Sequence, residues 1–235
     1  MLSVDSIDVF IKASHILRNV SLEAGKGEVV CLVGRNGAGK TTTLRTIMGY
    51  LRPEKGSVSF HDRDITKMST HEISRMGIGY APEDSGIFSN LTTHENIEIS
   101  TWNRTTEKSQ EQRIKLAYEV FPVLKGYKNR KGNHMSGGER KMLSIARALA
   151  LDAELFLLDE PFEGLAPAIV IEVANSIQEI TRMGPPMIIC ESNIYHVPDF
   201  TDMLYVIERG EIIFSGKPED VAQEKDILRI IAGTA

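Results

Sequence analysis

The fold of this chain is decided by the stretch Gly34-Arg35-Asn36-Gly37-Ala38-Gly39-Lys40-Thr41. It matches the pattern G-x-x-x-x-G-K-[ST] at every fixed position, and a short apolar run at residues 28–33 precedes it. Residues 42–50 follow with apolar side chains on one helical face, so the order is strand, glycine-rich loop, helix. Glycines let such a loop turn its N–H groups inward, and the helix start adds a positive dipole end. The sequence therefore predicts a cradle for a polyphosphate.

Two side chains of this loop have predicted chemical roles. Lys40 is expected to reach the β- and γ-phosphates of a nucleotide, and the Thr41 hydroxyl is expected to ligate Mg²⁺. The alternative is a chance glycine-rich turn, which the complete motif between a strand and a helix argues against. The whole predicted nucleotide cradle comprises Gly34, Arg35, Asn36, Gly37, Ala38, Gly39, Lys40, Thr41 and Thr42.

Length and composition limit the classes of protein that remain. The 235 residues suffice for one ordinary domain, or for one core with an inserted subdomain. A net charge of −5 gives no reason to expect a nucleic-acid partner. The sequence has no apolar run of about 18 residues and no signal-peptide pattern, so any membrane association is expected to pass through a partner. Cys31 and Cys190 lie in apolar runs, which indicates small buried side chains in a reducing compartment.

The order of elements predicts an α/β fold. Strands alternate with helices, which favours a mostly parallel sheet in a P-loop nucleotide-binding core, and the opening residues predict an antiparallel β layer beside it. The chain is expected to form a single domain over 1–235, with residues 1–83 and 151–235 as the core with its β layer and residues 84–150 as an inserted helical subdomain. Within that insertion, Thr93 is expected to cap one helix, and residues 110–124 are expected to form another.

Two further motifs carry chemistry. The turn Met135-Ser136-Gly137-Gly138-Glu139 precedes an amphipathic stretch, which predicts a second helix start open to anionic oxygens. Asp159 and Glu160 end a buried apolar run, at the sheet edge where ligands bind in parallel α/β folds. Asp159 is expected to hold Mg²⁺, and Glu160 to act as the general base for the water that attacks the γ-phosphate. The alternative is that this acid pair only caps the next helix.

These motifs, in this order and spacing, resemble the ATP-binding subunit of an ABC transporter, whose signature is the turn at 135–139. Residues 81–83, 87–88, 91–92, 95–96 and 159–167 further resemble the group that imports branched-chain amino acids, with its urea and amide relatives. The resemblance implies hydrolysis of ATP with Mg²⁺ and a position at the cytoplasmic face of the membrane. It also implies membrane-spanning permease subunits, a second ATPase chain and an extracytoplasmic solute-binding protein. In a head-to-tail pair of chains, each signature turn would close over the partner's γ-phosphate.

The resemblance also assigns roles to positions at which this sequence departs from the family. Glu83 stands where the family usually has a glutamine that contacts Mg²⁺, so Thr41, Glu83 and Asp159 are the expected metal ligands. The aromatic residue that stacks on adenine aligns with Ile11, and Phe10 precedes it, so one of the two takes that role. Ser192 occupies the slot of the switch histidine, and it joins Glu160 as an expected catalytic residue. His196, four residues later, is expected to be a surface histidine.

Three other functions remain from the sequence. A non-transport ABC ATPase usually carries two fused cassettes or a long coiled-coil insertion, and neither is visible. A P-loop kinase or GTPase leaves the turn at 136–138 unexplained. The third alternative is a binding module that does not hydrolyse ATP. Ser192 adds support to it, because serine cannot orient water as an imidazole does.

Overall fold

Ten strands form two sheets in the computed structural model, which describes residues 1–221 and 224–232. The strands are β1 Leu2–Ile11, β2 Ser14–Ala24, β3 Val29–Val33, β4 Lys55–Phe60, β5 Arg63–Asp64, β6 Ile78–Ala81, β7 Leu155–Asp159, β8 Met187–Glu191, β9 Met203–Glu208 and β10 Glu211–Gly216. The larger sheet has the order β10-β9-β3-β8-β7-β6, and all of its pairs are parallel except the β9–β10 hairpin. The smaller sheet, β2-β1-β4-β5, is antiparallel. The predicted α/β class with an added antiparallel layer is confirmed.

Strand β3 shows why the core has two parts. All five of its residues are buried. Val29, Cys31 and Val33 face a core built with the helices, whereas Val30 and Leu32 face a core built with the antiparallel sheet. Side chains alternate across a strand, so a strand covered on both faces has a continuous apolar sequence. The apolar run before the phosphate loop is therefore explained by its position at the centre of the larger sheet.

Nine α-helices complete the described part of the chain. They are α1 Lys40–Ile47, α2 Thr70–Arg75, α3 Thr93–Thr101, α4 Gln110–Val120, α5 Pro122–Gly126, α6 Gly137–Ala150, α7 Pro167–Arg182, α8 Pro218–Val221 and α9 Lys225–Ala232. Helices α3 and α4 pack on α6, and α6 packs on β6, so the helices between 84 and 150 are joined to the sheet through α6. None of the helices described is long and apolar enough to cross a membrane.

Two predicted helix boundaries are wrong. Helix α3 is capped by Thr92, whose hydroxyl accepts the Glu95 N–H at 3.2 Å, and Thr93 is instead the first residue inside the helix and fully buried. The predicted helix at 110–124 is broken after Val120, because Pro122 has no N–H to donate and forces the chain to start a new helix.

The turn between β9 and β10 fixes the phosphate loop against the antiparallel sheet. Gly210 in this turn donates its N–H to the Ala38 carbonyl at 2.8 Å, and its own carbonyl accepts the Arg18 N–H at 2.8 Å. Its φ is +83°, and a Cβ there would overlap the Ile16 carbonyl oxygen of β2. Only glycine adopts a positive φ without strain and has no Cβ to overlap that oxygen. This turn is therefore a tight contact between β2, the β9–β10 hairpin and the phosphate loop.

Replacing Gly210 by alanine is expected to destabilise the chain more than the same change at Gly184. Gly184 also has a positive φ, +93°, but nothing lies within 4 Å of a Cβ built on it. Gly184→Ala should therefore cost about 1–2 kcal/mol for its conformation alone. Gly210→Ala should cost about 1–3 kcal/mol more, because backbone atoms must move. Urea unfolding of both variants measures the difference, and equal costs would contradict this description of the turn.

Candidate active site

The phosphate loop lies between β3 and α1, at the end of the parallel strands. Gly34 donates its N–H to the Glu191 carbonyl at 3.2 Å, so the loop begins against the end of β8. Gly37 has a φ of +83°, and a Cβ there would project into open space. Helix α1 has no side-chain cap at Gly39, whereas α2, α3, α4 and α6 each begin with a capping box. The first N–H groups of α1 are therefore available to a ligand.

Lys40 is buried at the centre of this loop, with only 4% of its surface exposed. Its ammonium donates to the carbonyls of Gly34 at 2.7 Å and Arg35 at 3.3 Å. It also lies 3.0 Å from Oε1 of Glu160. The ammonium therefore already has a carboxylate partner, and a polyphosphate in the loop would compete with Glu160 for it.

Asp159 accepts hydrogen bonds from two hydroxyl groups. Its Oδ1 accepts the Thr41 hydroxyl at 3.1 Å, and its Oδ2 accepts the Tyr80 hydroxyl at 3.1 Å. Burial raises the pKa of Asp159, although both hydroxyl bonds oppose the increase. The predicted partners Thr41 and Asp159 are thus brought together. Tyr80, on the neighbouring strand β6, joins them without having been predicted.

Glu160 has an unusual backbone and an unusual carboxylate. Its φ of +49° is a left-handed conformation, which costs a non-glycine residue about 1–3 kcal/mol. Its N–H donates to the Cys190 carbonyl at 2.9 Å, which holds the turn after β7 against β8. Oε1 pairs with Lys40, but the buried Oε2 has no hydrogen-bond partner among the residues that the structure describes. Such an oxygen is rare in folded proteins and suits a site for water or another ligand.

The surroundings of Glu160 favour its ionised form. Burial raises the pKa of Glu160, but the neighbouring Glu163 carboxyl, the Lys40 ammonium and the Ser192 hydroxyl lower it, and the lowering prevails. The neighbouring Glu160 carboxylate, together with burial, raises the pKa of Glu163 to about 7. Between the lowered pKa of Glu160 and about pH 7, Glu163 therefore holds a proton while Glu160 is a carboxylate. This is the protonation state that a general base requires.

The residues at this edge fit a magnesium nucleotide. The uncapped start of α1 suits phosphate oxygens, and the Thr41 hydroxyl with the Asp159 carboxylate supplies the oxygen ligands that Mg²⁺ prefers. Across residues 1–221 and 224–232, no three His, Cys, Asp or Glu side chains form a metal site by themselves. That agrees with Mg²⁺, which is usually held by one or two carboxylates together with substrate phosphates and water.

The signature turn forms the start of α6. The Ser136 hydroxyl accepts the Glu139 N–H at 3.3 Å, and the Glu139 carboxylate accepts the Ser136 N–H at 2.7 Å. This capping box places a carboxylate beside the first turn, so an anion at this helix start would meet the Glu139 charge as well as the remaining N–H groups. Arg130 lies 3.0 Å from that carboxylate and offsets its charge.

The two glycines of the signature turn have different surroundings. Gly137 is exposed, and a Cβ there would meet nothing within 4 Å. A Cβ on Gly138 would lie 2.8 Å from Cγ2 of Ile169, so this glycine lets α7 pack closely. Gly137 therefore keeps an accessible N–H at the helix start, while Gly138 serves packing.

A cleft of about 350 Å³ connects the signature turn to the residues after Glu160. It is lined by Glu83, Asp84, Ser85, Gly137, Arg140, Lys141, Glu163, Gly164 and Leu165. The structure describes the phosphate loop in full, and none of its residues lines this cleft. Within one chain, the signature turn and the phosphate loop therefore do not share this cleft.

Three predicted site residues lie at the margins of the candidate active site. Phe10 stacks on His15, with ring centroids 4.1 Å apart and planes at 8°, so one face of its ring is covered. Ile11, at the end of β1, is 41% exposed. Glu83 is exposed after β6, and its backbone carbonyl, not its carboxylate, is engaged, by the Lys141 ammonium at 2.7 Å.

The end of β8 contains functional candidates that the sequence reasoning missed. Glu191 is fully buried, and its Oε1 accepts the Phe162 N–H at 3.3 Å. His196 is not a simple surface histidine, because its Nδ1 lies 3.3 Å from Oε2 of Glu191. Ser192 lies between them in sequence, half-buried beside Glu160. An acid at the end of an apolar strand was the available signal for Glu191, as it was for Asp159.

Comparison with known proteins agrees with this site. The sequence pattern of the ABC transporter family matches residues 17–163. The lipopolysaccharide export system ATP-binding protein LptB of Acidithiobacillus ferridurans is 32% identical over 99% of this chain and 97% of its own length. The high-affinity branched-chain amino acid transport ATP-binding protein BraG of Pseudomonas aeruginosa is 36% identical over 91% of each chain. A crystal structure of the ADP conformation of an ATP-binding cassette from an ABC transporter superposes on this chain with a TM-score of 0.83. The two sequences are 26% identical, and the match covers 99% of this chain and 98% of the other.

Fold and site together define a P-loop ATPase with a cassette architecture. The chain belongs to the ABC transporter family, as an ATP-binding subunit whose ATPase activity is coupled to transport. The resemblance to ATP-binding subunits of this family is thereby confirmed. The resemblance to the importer group is not specifically confirmed, because an export protein matches at similar identity.

Replacing Glu191 by glutamine is expected to change how stability depends on pH. Burial raises the pKa of Glu191 to about 8. Between its ordinary pKa and that value, the folded chain holds a proton that the unfolded chain has released, so the free energy of unfolding falls as pH rises. Glutamine carries no charge, and Glu191→Gln should lose less stability between about pH 5.5 and about pH 8 than the wild type.

Urea unfolding at the two pH values measures this difference. Glu163 and Asp159, whose pKa values are also raised, titrate in both proteins, so the difference between the two proteins reports mainly on Glu191. Glu211→Gln is the matched control, because this side chain is 58% exposed. An identical pH dependence in wild type and Glu191→Gln would contradict the buried, protonated Glu191.

Proposed function

We propose that this chain powers an importer of branched-chain amino acids or similar small polar solutes. BraG, a protein named for branched-chain amino acid transport, is more identical to the chain than LptB over the region each covers. The residues at 159–167, from the acid pair to the start of α7, carry the same resemblance. The second candidate is an export system, since LptB matches nearly the full length of the chain. Urea and amide importers are related alternatives to the amino-acid substrate.

The observation that carries the proposed hydrolysis is the buried Glu160 carboxylate with an unpartnered oxygen. In our proposal, Glu160 accepts a proton from the attacking water, Lys40 binds phosphate, and Ser192 keeps the ionised form of Glu160 favoured. Thr41, Asp159 and Glu83 would hold Mg²⁺, which supplies positive charge to the phosphates when bound. Phe10, by the uncovered face of its ring, or Ile11 would contact adenine. The remaining residues at 34–42 would cradle the phosphates.

We further propose that two chains close over the nucleotide. The signature turn and the phosphate loop do not line a common cleft within one chain, yet each lies at the start of a helix. A head-to-tail pair resolves this, because two-fold symmetry places each signature turn, with Ser136, Gly137, Gly138 and Glu139, over the partner's phosphate loop. The accessible Gly137 is the natural point of contact. The second chain of the pair is either another copy or a related ATPase subunit.

A groove beside β6 is the proposed docking site for a permease subunit. It has a volume of about 370 Å³ and is lined by residues of α3, α6 and the segment after β6. Phe88 is 46% exposed at this groove, and the Arg147 guanidinium lies 5.0 Å from its ring centroid. In the proposed division into a core at 1–83 and 151–235 and a helical subdomain at 84–150, this groove would lie at the boundary between the two. Such docking would keep the chain at the cytoplasmic face of the membrane, with a solute-binding protein on the other side.

Glu160→Gln is expected to abolish turnover and to stabilise the nucleotide-bound pair of chains. Loss of the base should lower kcat for ATP by about 100-fold or more while glutamine leaves the shape of the site intact. Light scattering after gel filtration with magnesium-ATP should then show a dimer for this variant. Lys40→Ala is the control that should not bind ATP and should stay monomeric. Glu160→Gln that ignores ATP, or that hydrolyses it at the wild-type rate, would contradict the proposed site.

The substrate assignment is tested by solute uptake in the native host. Cells without this chain should lose uptake of radiolabelled leucine, and wild-type chain but not Glu160→Gln at equal expression should restore it. Retained leucine uptake with loss of urea or acetamide uptake would move the assignment to the related importers. Normal uptake of all three with altered surface lipopolysaccharide would overturn import in favour of export.

A further inference from the structure

The C-terminal end of β8 holds both halves of the active site. The Glu191 carbonyl accepts the Gly34 N–H at 3.2 Å, which fixes the start of the phosphate loop. The Cys190 carbonyl accepts the Glu160 N–H at 2.9 Å, and the Glu191 carboxylate accepts the Phe162 N–H at 3.3 Å. Two consecutive residues of one strand therefore anchor the loop and the turn that carries Glu160.

The turn needs this anchoring, because its conformation is costly. Glu160 adopts a positive φ of +49°, and a non-glycine residue keeps such a backbone only where its surroundings determine it. Within this turn, the N–H groups of Glu160 and Phe162 both point to the end of β8. If the Glu191 carboxylate moves, the second of these anchors is lost.

The Glu191 carboxylate is itself held from the far side by His196. Glu191 is 0% exposed, and a carboxyl group so buried needs partners for both oxygens. Oε1 is used by Phe162, and Oε2 lies 3.3 Å from Nδ1 of His196. The contact is a hydrogen bond whether the proton is on the imidazole or on the carboxyl group.

A short turn fixes the position of His196 beside Glu191. Asn193 accepts the Tyr195 N–H with its side chain at 3.0 Å, and its carbonyl accepts the His196 N–H at 3.0 Å. This 3₁₀ turn at Ile194–His196 folds the chain back over the end of β8. The imidazole thus reaches Glu191 from outside, with 36% of its side chain exposed.

We propose that His196 is a positioning residue of the ATPase, which acts through Glu191 to hold the turn that presents Glu160. The proposal rests on the proposed role of Glu160 as general base. It assigns a function to a histidine near the slot where this sequence has Ser192. His196 does not contact the reacting atoms. It acts on the geometry of the base and leaves the phosphate loop, with its nucleotide-binding N–H groups, in place.

The test measures ATP hydrolysis and ATP binding separately, in the intact chain. His196→Ala leaves Oε2 of Glu191 without a partner, and kcat for ATP should fall by about tenfold or more, since small misplacements of catalytic groups are costly. The Kd for magnesium-ATP should stay within about twofold, because kcat alone depends on the base. His196→Asn should recover most of kcat, because its amide can donate to Oε2 of Glu191 or accept a hydrogen bond from it.

His61→Ala is the matched control. His61 Nε2 lies 2.9 Å from Oε2 of Glu154 in a second histidine–glutamate pair, but both side chains are about half exposed, at 49% and 45%. This variant should keep wild-type kcat.

Unchanged kcat in His196→Ala would overturn the proposal. Equal losses of kcat in the alanine and asparagine variants, or a parallel loss of ATP binding, would overturn it as well. If Glu160→Gln is inactive while His196→Ala is normal, only this inference fails. If Glu160→Gln is active, the base assignment fails first.

Discussion

The buried ion pair between Lys40 and Glu160 is the contact on which the site depends. It joins the phosphate loop to the turn after β7, across the carboxyl ends of the parallel strands, at a distance of 3.0 Å. Neither charge could be buried alone, because a single buried ion pays a large desolvation cost. The pair therefore brings together an ammonium suited to phosphate and a carboxylate suited to water. In the proposed mechanism, a nucleotide whose phosphates bind Lys40 would also release the Glu160 carboxylate from the pair.

Around this pair, the site concentrates carboxyl groups in a small volume. Asp159, Glu163 and Glu191 all have raised pKa values. Burial is the main cause for Asp159 and Glu191, and the neighbouring Glu160 carboxylate is the main cause for Glu163. Lys141, on α6, is the second buried cation nearby, and burial lowers its pKa while the carboxylates oppose the decrease. Such a balance of buried charges is typical of functional sites. Protons on these carboxyl groups therefore offset part of the negative charge that is buried in the site.

The sequence predicted the fold and the main motifs because they follow local rules. The loop at 34–41, the acid pair and the apolar strands were found from spacing and periodicity. The capping of α3 by Thr92 was missed by one residue, since Thr92 and Thr93 are equally good caps by type. The pairing of His196 with Glu191 could not be predicted, because it depends on a turn at Asn193 and on the depth of β8 in the sheet. Side-chain contacts between loops from distant parts of a chain leave no periodic pattern.

The start of α1 has one more implication. Helices α2, α3, α4 and α6 complete their own first turns with side chains, and α5 and α7 begin with proline, whereas α1 has neither device. A phosphate bound at the start of α1 would therefore cap this helix from outside the polypeptide. ATP binding would then add to the free energy of unfolding of the domain, by an amount that increases with the ratio of the ATP concentration to its Kd.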